Sequence, residues 1–173
     1  MKRLLILGAG GFGRTVADIA RQSGRYEFVC HLDDRAGEGV LAPLARFAEF
    51  AGEGTEMLPA IGANALRLSW CERLQNAGVP VATLIHPKAY VSPEATIEAG
   101  SIVLPMAIVN TATHIGKACI INCGSIVDHG CVIEDGCHIC LGAIVKAENR
   151  IASCTKIEAG IVVEARTFPV ATK

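Results

Sequence analysis

The stretch Cys119-Ile120-Ile121-Asn122-Cys123-Gly124-Ser125-Ile126-Val127-Asp128-His129-Gly130-Cys131-Val132-Ile133 repeats its own pattern every six residues. Its branched members belong to a longer row: Val91, Ile97, Val103, Val109, Ile115, Ile121, Val127, Ile133, Ile139, Val145, Ile151, Ile157 and Val163, with no insertion anywhere. Two residues before each stand Ala89, Ala95, Ser101, Ala107, Thr113, Cys119, Ser125, Cys131, Cys137, Ala143, Asn149, Thr155 and Ile161, all small or short except the last. Residues two apart in a strand share a face, so the small and the branched side chains point into one interior. Gly100, Gly124, Gly130, Gly136, Gly142 and Gly160 fall three residues after a branched position, where glycine turns the chain without steric cost. The unit is a short strand followed by a corner. Three units make a coil of eighteen residues, and parallel coils bury their Val/Ile rows on one another as solenoids do. Cys119, Cys131 and Cys137 fill the small inward position and read as core hydrophobes.

Upstream of the repeat the pattern changes to alternating strand and helix. Arg3 to Leu7 reads as a short buried strand, and Gly8-Ala9-Gly10-Gly11-Phe12-Gly13 opens a helix running to about Ser23. Phe28 to Leu32 is the second strand and ends in Asp33-Asp34. Pro59 to Gly62 reads as a strand end, Ala63 to Ala77 as a helix, and Val79 to Ile85 as the last strand. This is a βαβ-type half domain. Gly8-x-Gly10-x-x-Gly13, with Asp33 about twenty residues on, fits the dinucleotide fingerprint. Backbone N–H groups at a helix N-terminus attract any phosphate, so the loop suits a sugar nucleotide as well as NAD. A loop whose glycines only make a tight strand-to-helix turn fits the same residues.

Composition bounds the rest. The chain has 173 residues, a formal charge of −1 and 51% hydrophobic residues, enough for a core and at most two small domains. No Lys/Arg cluster marks a nucleic-acid surface, and no apolar run is long enough to cross a bilayer. The run Leu4-Leu5-Ile6-Leu7 stops at the glycine loop and reads as a strand, not a signal peptide. The eight cysteines are therefore expected as reduced thiols in the cytoplasm. Cys137 and Cys140 have C-x-x-C spacing, but zinc needs a second ligand pair and c-type haem a histidine after the second cysteine; no metal is expected.

Taken together, the glycine loop with Asp33 and Asp34, Ile61-Gly62-Ala63-Asn64 with Arg67, and Ile85-His86-Pro87 leading into hexads resemble one family. It is the sialic acid O-acetyltransferase family, which includes the N-acetyltransferases of nucleotide-linked amino sugars. The resemblance implies an α/β half-Rossmann domain over residues 1–85 that binds a nucleotide sugar, then a left-handed parallel β-helix of hexapeptide repeats over residues 86–173. The left hand is implied by the resemblance alone, since crossovers between parallel strands are right-handed as a rule. It also implies a homotrimer with acetyl-CoA between adjacent helices.

The most specific match is Asn122-Cys123-Gly124-Ser125-Ile126-Val127-Asp128-His129, with His138 nine residues further on. By it His129 is the general base, with Asp128 the neighbouring carboxylate. Asn122 and His138 lie at the acyl donor, and the oxyanion is held by the backbone N–H at Ala147. Gly8, Gly10, Gly11, Gly13, Asp33 and Asp34 would hold the substrate. The chemistry agrees, because acyl transfer from a thioester needs a proton acceptor near neutrality and a donor for the oxyanion. Four features depart from the family pattern: Gly130 follows His129 in place of an acidic residue, Phe12 replaces a histidine, Glu148 and Asn149 replace small and apolar residues, and the chain ends soon after Val163. They keep a second reading open, a noncatalytic trimeric binding protein. A third, an NAD-linked oxidoreductase, lacks a second nucleotide half and a visible hydride-transfer site.

Overall fold

In the computed structural model, which describes residues 2–170, the N-terminal part is a four-stranded parallel sheet. Its elements are β1 (Arg3–Leu7), α1 (Gly11–Gln22), β2 (Phe28–Leu32), β3 (Val40–Ala42), a 3₁₀ turn (Leu44–Phe50), β4 (Thr55–Pro59) and α2 (Asn64–Asn76). The strand order is β3-β2-β1-β4. β1 is central, and Leu4 to Leu7 are buried on both faces. That is why this strand reads as an unbroken apolar run and not as an alternation. The expected strand over Val79 to Ile85 is divided. Val81 bridges to Met57 beside β4, whereas Leu84–Ile85 pairs with Ile102–Val103 and is already the first rung of the repeat. A short apolar run carries no label for the sheet it will join. β3 and the 3₁₀ turn, framed by Gly37, Gly39 and Pro43, were not expected.

From Leu84 onward two-residue strands stack eighteen apart in three parallel columns. One runs through Leu84–Ile85, Ile102–Val103, Ile120–Ile121, His138–Ile139 and Lys156–Ile157; the second starts at Tyr90–Val91 and the third at Thr96–Ile97. All thirteen branched positions join one interior cluster with Cys119, Cys131, Cys137 and Ala143. Each fully buried Val or Ile stabilises the stack by about 1.5–3 kcal/mol relative to exposure. Every sixth residue from Gly100 to Arg166 has positive φ, and half of these corners are not glycine: Met106, Ala112, Ala118, Glu148, Cys154 and Arg166. The helix winds left-handed. Strands of two residues carry little twist, and twist is what imposes the right hand on longer crossovers.

The two parts share a core and a polar clasp. Leu84, Ile102 and Ile120 point out of the first column into a cluster with Leu4, Ile6, Val16 and Ala20. Arg67 on α2 is fully buried. Its guanidinium donates to the carbonyls of Ala118 (2.7 Å), Gly136 (2.9 Å), Cys137 (3.2 Å) and Ile61 (2.9 Å), and to Asn64 Oδ1 (2.9 Å). Asn64 Nδ2 donates in turn to the Cys154 carbonyl at 2.9 Å. The first turn of α2 thus reads three successive corners, at 118, 136 and 154. Burial pulls the Arg67 pKa down to about 10, so the group stays charged at neutral pH and is matched by carbonyl dipoles where a carboxylate is absent.

Candidate active site

The glycine loop forms a tight strand-to-helix turn, with a division of labour among its members. A Cβ on Gly13 would stand 2.1 Å from the Gly8 carbonyl oxygen, and one on Gly8, at φ 113°, would meet the Ala60 carbonyl at 2.9 Å. These two glycines let the turn close. Gly10 and Gly11 would present a Cβ to open space. Gly10 caps α1 without a side-chain bond, and the first turn of α1 holds no acidic residue, so its positive end is free for an anion. Beside it lies a cleft of about 960 Å³ lined by Ala9, Gly10, Arg14, Arg21, His31, Asp33, Arg35 and the loop 36–40. Sequence reasoning missed His31. It is buried, and its Nδ1 sits 2.9 Å from the Gly8 carbonyl, so a polar residue in a strand of apolar ones was the available signal.

The two aspartates separate. Asp33 lines the cleft, and its carboxylate accepts from the Ala9 N–H (2.7 Å) and the Arg35 N–H (2.9 Å). Burial opposes the charge, but these backbone bonds outweigh it and hold the pKa below the usual carboxylate value. Asp34 is exposed and accepts from the Leu44 N–H at 3.0 Å, capping the 3₁₀ turn away from the lining residues. Phe12 packs against the cluster that joins the two parts.

On the β-helix, Asn122 and His138 are brought together. Asn122 Oδ1 accepts from the Cys123 N–H at 2.8 Å, which fixes the amide orientation. Its Nδ2 therefore donates to His138 Nε2 at 3.0 Å, leaving the imidazole proton on Nδ1. Burial first, then the charges of Arg67 and Lys156, pull the His138 pKa down to about 4. His138 is a neutral imidazole near pH 7 with its lone pair occupied. It can donate a hydrogen bond from Nδ1, and it is unsuited to accept a proton.

His129 differs on each count. It is exposed, at the corner after Ile126–Val127, and its ring makes no hydrogen bond among the described residues. Asp128 does not hold that ring. Its Oδ1 accepts from the His129 backbone N–H (2.7 Å) and from Asn110 Nδ2 (3.0 Å), bonds that keep its carboxyl below the usual range against the opposing effect of burial. Ala147 lies one coil above His129, and its N–H has no partner among the described residues, whereas its carbonyl accepts from Arg166. His114, on the neighbouring face of the helix, bonds Thr96 Oγ1 at 2.8 Å.

The comparisons bear on the whole chain. The family model described as the PglD N-terminal domain matches residues 3–74. The acetyltransferase domain of PglB from Neisseria gonorrhoeae FA1090 superimposes with a TM-score of 0.92 at 31% identity, covering 96% of this chain and 84% of that one. A structure of that domain in complex with acetyl coenzyme A gives 0.91 at 31% identity, over 95% and 83% of the two chains. A histidine-to-asparagine variant of perosamine N-acetyltransferase from Caulobacter crescentus, in complex with CoA and GDP-perosamine, gives 0.83 at 28% identity, over 98% and 91%. A glycine-loop α/β sheet joined to a hexapeptide β-helix is thus an acetyltransferase architecture. This chain belongs to the family of nucleotide-amino-sugar N-acetyltransferases.

Proposed function

We propose that the protein transfers the acetyl group of acetyl-CoA to the amine of a nucleotide-linked amino sugar, with His129 as the general base. The observation that carries this reading is the exposed imidazole of His129 one coil below the Ala147 N–H, both without a partner among the described residues. In the reaction the sugar amine attacks the thioester carbonyl and His129 takes the proton it loses. The Ala147 N–H donates to the oxyanion, and collapse of the tetrahedral intermediate expels the thiolate, which recovers a proton from the imidazolium. His138, neutral and donating from Nδ1, and Asn122 contact the acyl donor. The sugar nucleotide is held in the cleft, with its phosphates at Gly10 and Gly11 and its ribose near Asp33; Asp34, bonded to the Leu44 N–H, closes the loop that carries residues 35–40. The cleft volume suits such a ligand.

The assembly is a homotrimer. Tyr90, Ile108, Ile126, Ile144 and Val162 form one outward column of apolar side chains. The residues lining the cleft all lie between 9 and 40, none of them on the β-helix, so the sugar held by one copy is acetylated against the helix of the next. The test is thiol release from acetyl-CoA with a panel of amino-sugar nucleotides. His129→Ala is expected to lower kcat by roughly 10²- to 10⁴-fold with KM nearly unchanged; undiminished turnover sinks the assignment of the base.

A further inference from the structure

The corner column beside His129 holds Ala112, Gly130, Glu148 and Arg166, stacked eighteen residues apart and all at positive φ. The Glu148 N–H donates to the His129 carbonyl at 3.0 Å, which seats Glu148 directly above the His129–Gly130 peptide. A Cβ on Gly130 would stand 3.3 Å from Glu148 Cγ. Glycine at 130 leaves a space, and the glutamate of the next coil fills it. There Arg166 holds the carboxylate, Nε to Oε2 at 2.6 Å and Nη2 to Oε1 at 3.1 Å.

Stability does not account for this arrangement. The left-handed corner is imposed by stacking on any residue at this position, and an ion pair with side chains 69% and 42% exposed adds little. The other charged groups around the corner are committed elsewhere. Asp128 is bonded to backbone and to Asn110, Glu94 accepts from Thr111, and Lys146 pairs with Glu164 at 2.6 Å. The Glu148 carboxylate is paired with Arg166, which holds its pKa down, and the His129 imidazole adds a smaller pull in the same direction.

We propose that Glu148 is a positioning residue for His129, supplying from the coil above the carboxylate that orients the imidazole and stabilises the imidazolium formed during proton transfer. The inference rests on the reading of His129 as the base. A first measurement needs no turnover: the imidazole titration of His129 followed by NMR in the full chain. Glu148→Gln is expected to move its midpoint down by about half a pH unit or more. The acid limb of the rate profile moves with it, and kcat falls about tenfold at constant KM. Arg166→Gln breaks the same ion pair but keeps the carboxylate, so its midpoint stays at or above that of the unmodified protein. A purely structural role for the pair requires the two variants to behave alike, and that result overturns the proposal. So does a Glu148→Gln protein with an unmoved midpoint. If His129→Ala is inactive in that case, the base stands and Glu148 alone falls; if His129→Ala turns over normally, both fall.

Discussion

His138 and His129 are nine residues apart in one repeat, yet their surroundings give them opposite properties. The Asn122 amide occupies the His138 lone pair, and burial with Arg67 and Lys156 nearby brings its pKa to about 4, against an ordinary 6.5. Between those two values the unfolded chain binds a proton that the folded chain refuses. The contribution of His138 is therefore fully present above pH 6.5 and is lost as the pH falls toward 4, because stability rises with pH wherever the unfolded state holds more protons. His86, also shifted down by burial and Lys88, acts in the same direction. Urea unfolding at pH 7, 6 and 5 is expected to show a falling midpoint, with a shallower fall for His138→Asn. Parallel slopes would refute the role given to His138. Of this site the sequence made the pair His129 and His138 legible through their spacing and family match. The Asn122 bond was hidden, since it joins neighbouring coils and has no local signal. Gly13 and Gly8 were legible because turn closure forbids a Cβ at both. Arg67 showed only as a matching residue; that it clasps two corners, with Asn64 on a third, follows from packing that no local pattern encodes.

At the level of the element, the six-residue period carried the β-helix, because each inward Val or Ile must repeat in register to bury itself on the next coil. The corners were less legible. Glycines marked only half of the left-handed positions, and the rest are alanine, methionine, cysteine, glutamate and arginine. Stacking imposes the conformation on whichever residue stands there: the N–H of Gly130 reaches the Thr111 carbonyl at 3.1 Å, that of Glu148 the His129 carbonyl at 3.0 Å. Such residues carry a cost of about 1–2 kcal/mol each. Ala112, at φ 54° and exposed, pays it without a side-chain partner in return. Ala112→Gly relieves that strain but gives the unfolded chain more freedom, about 0.4–1 kcal/mol in the opposite sense. A net stabilisation of about 0.5–1 kcal/mol is expected in chemical denaturation. A loss of stability would mean that the corner is relaxed for alanine. The divided run Val79 to Ile85 teaches the converse, since its β-branched and apolar residues suit either sheet and only three-dimensional position decides.

For the whole molecule, the three outward columns of the β-helix differ in what covers them. Leu84, Ile102 and Ile120 lie under the α/β part. The column of Thr96, His114, Val132 and Arg150 is largely polar. The third is apolar from end to end, and Tyr90 and Val162 at its ends are 55% and 45% exposed. In the proposed trimer a second copy laid along this column buries it, and closed three-fold symmetry leaves no copy with an unpaired face. Sedimentation at micromolar concentration is expected to give three chains of 18.2 kDa, about 55 kDa. Ile126→Asp, in the middle of the column and outside the interior cluster, should give a folded monomer without activity. The composite site can then be tested directly. Gly10→Val is expected to block the cleft where a Cβ meets no protein atom, and His129→Ala to remove the proposed base, so each alone is expected to be inactive. If a site combines the cleft of one copy with the helix of the next, trimers refolded from an equal mixture contain sites whose cleft comes from a His129→Ala chain and whose helix comes from a Gly10→Val chain. Random assembly makes these roughly one site in four, so about a quarter of full activity returns. Sites built within one copy would stay inactive in every mixture, and that outcome, or a monomeric parent protein, would overturn the shared site.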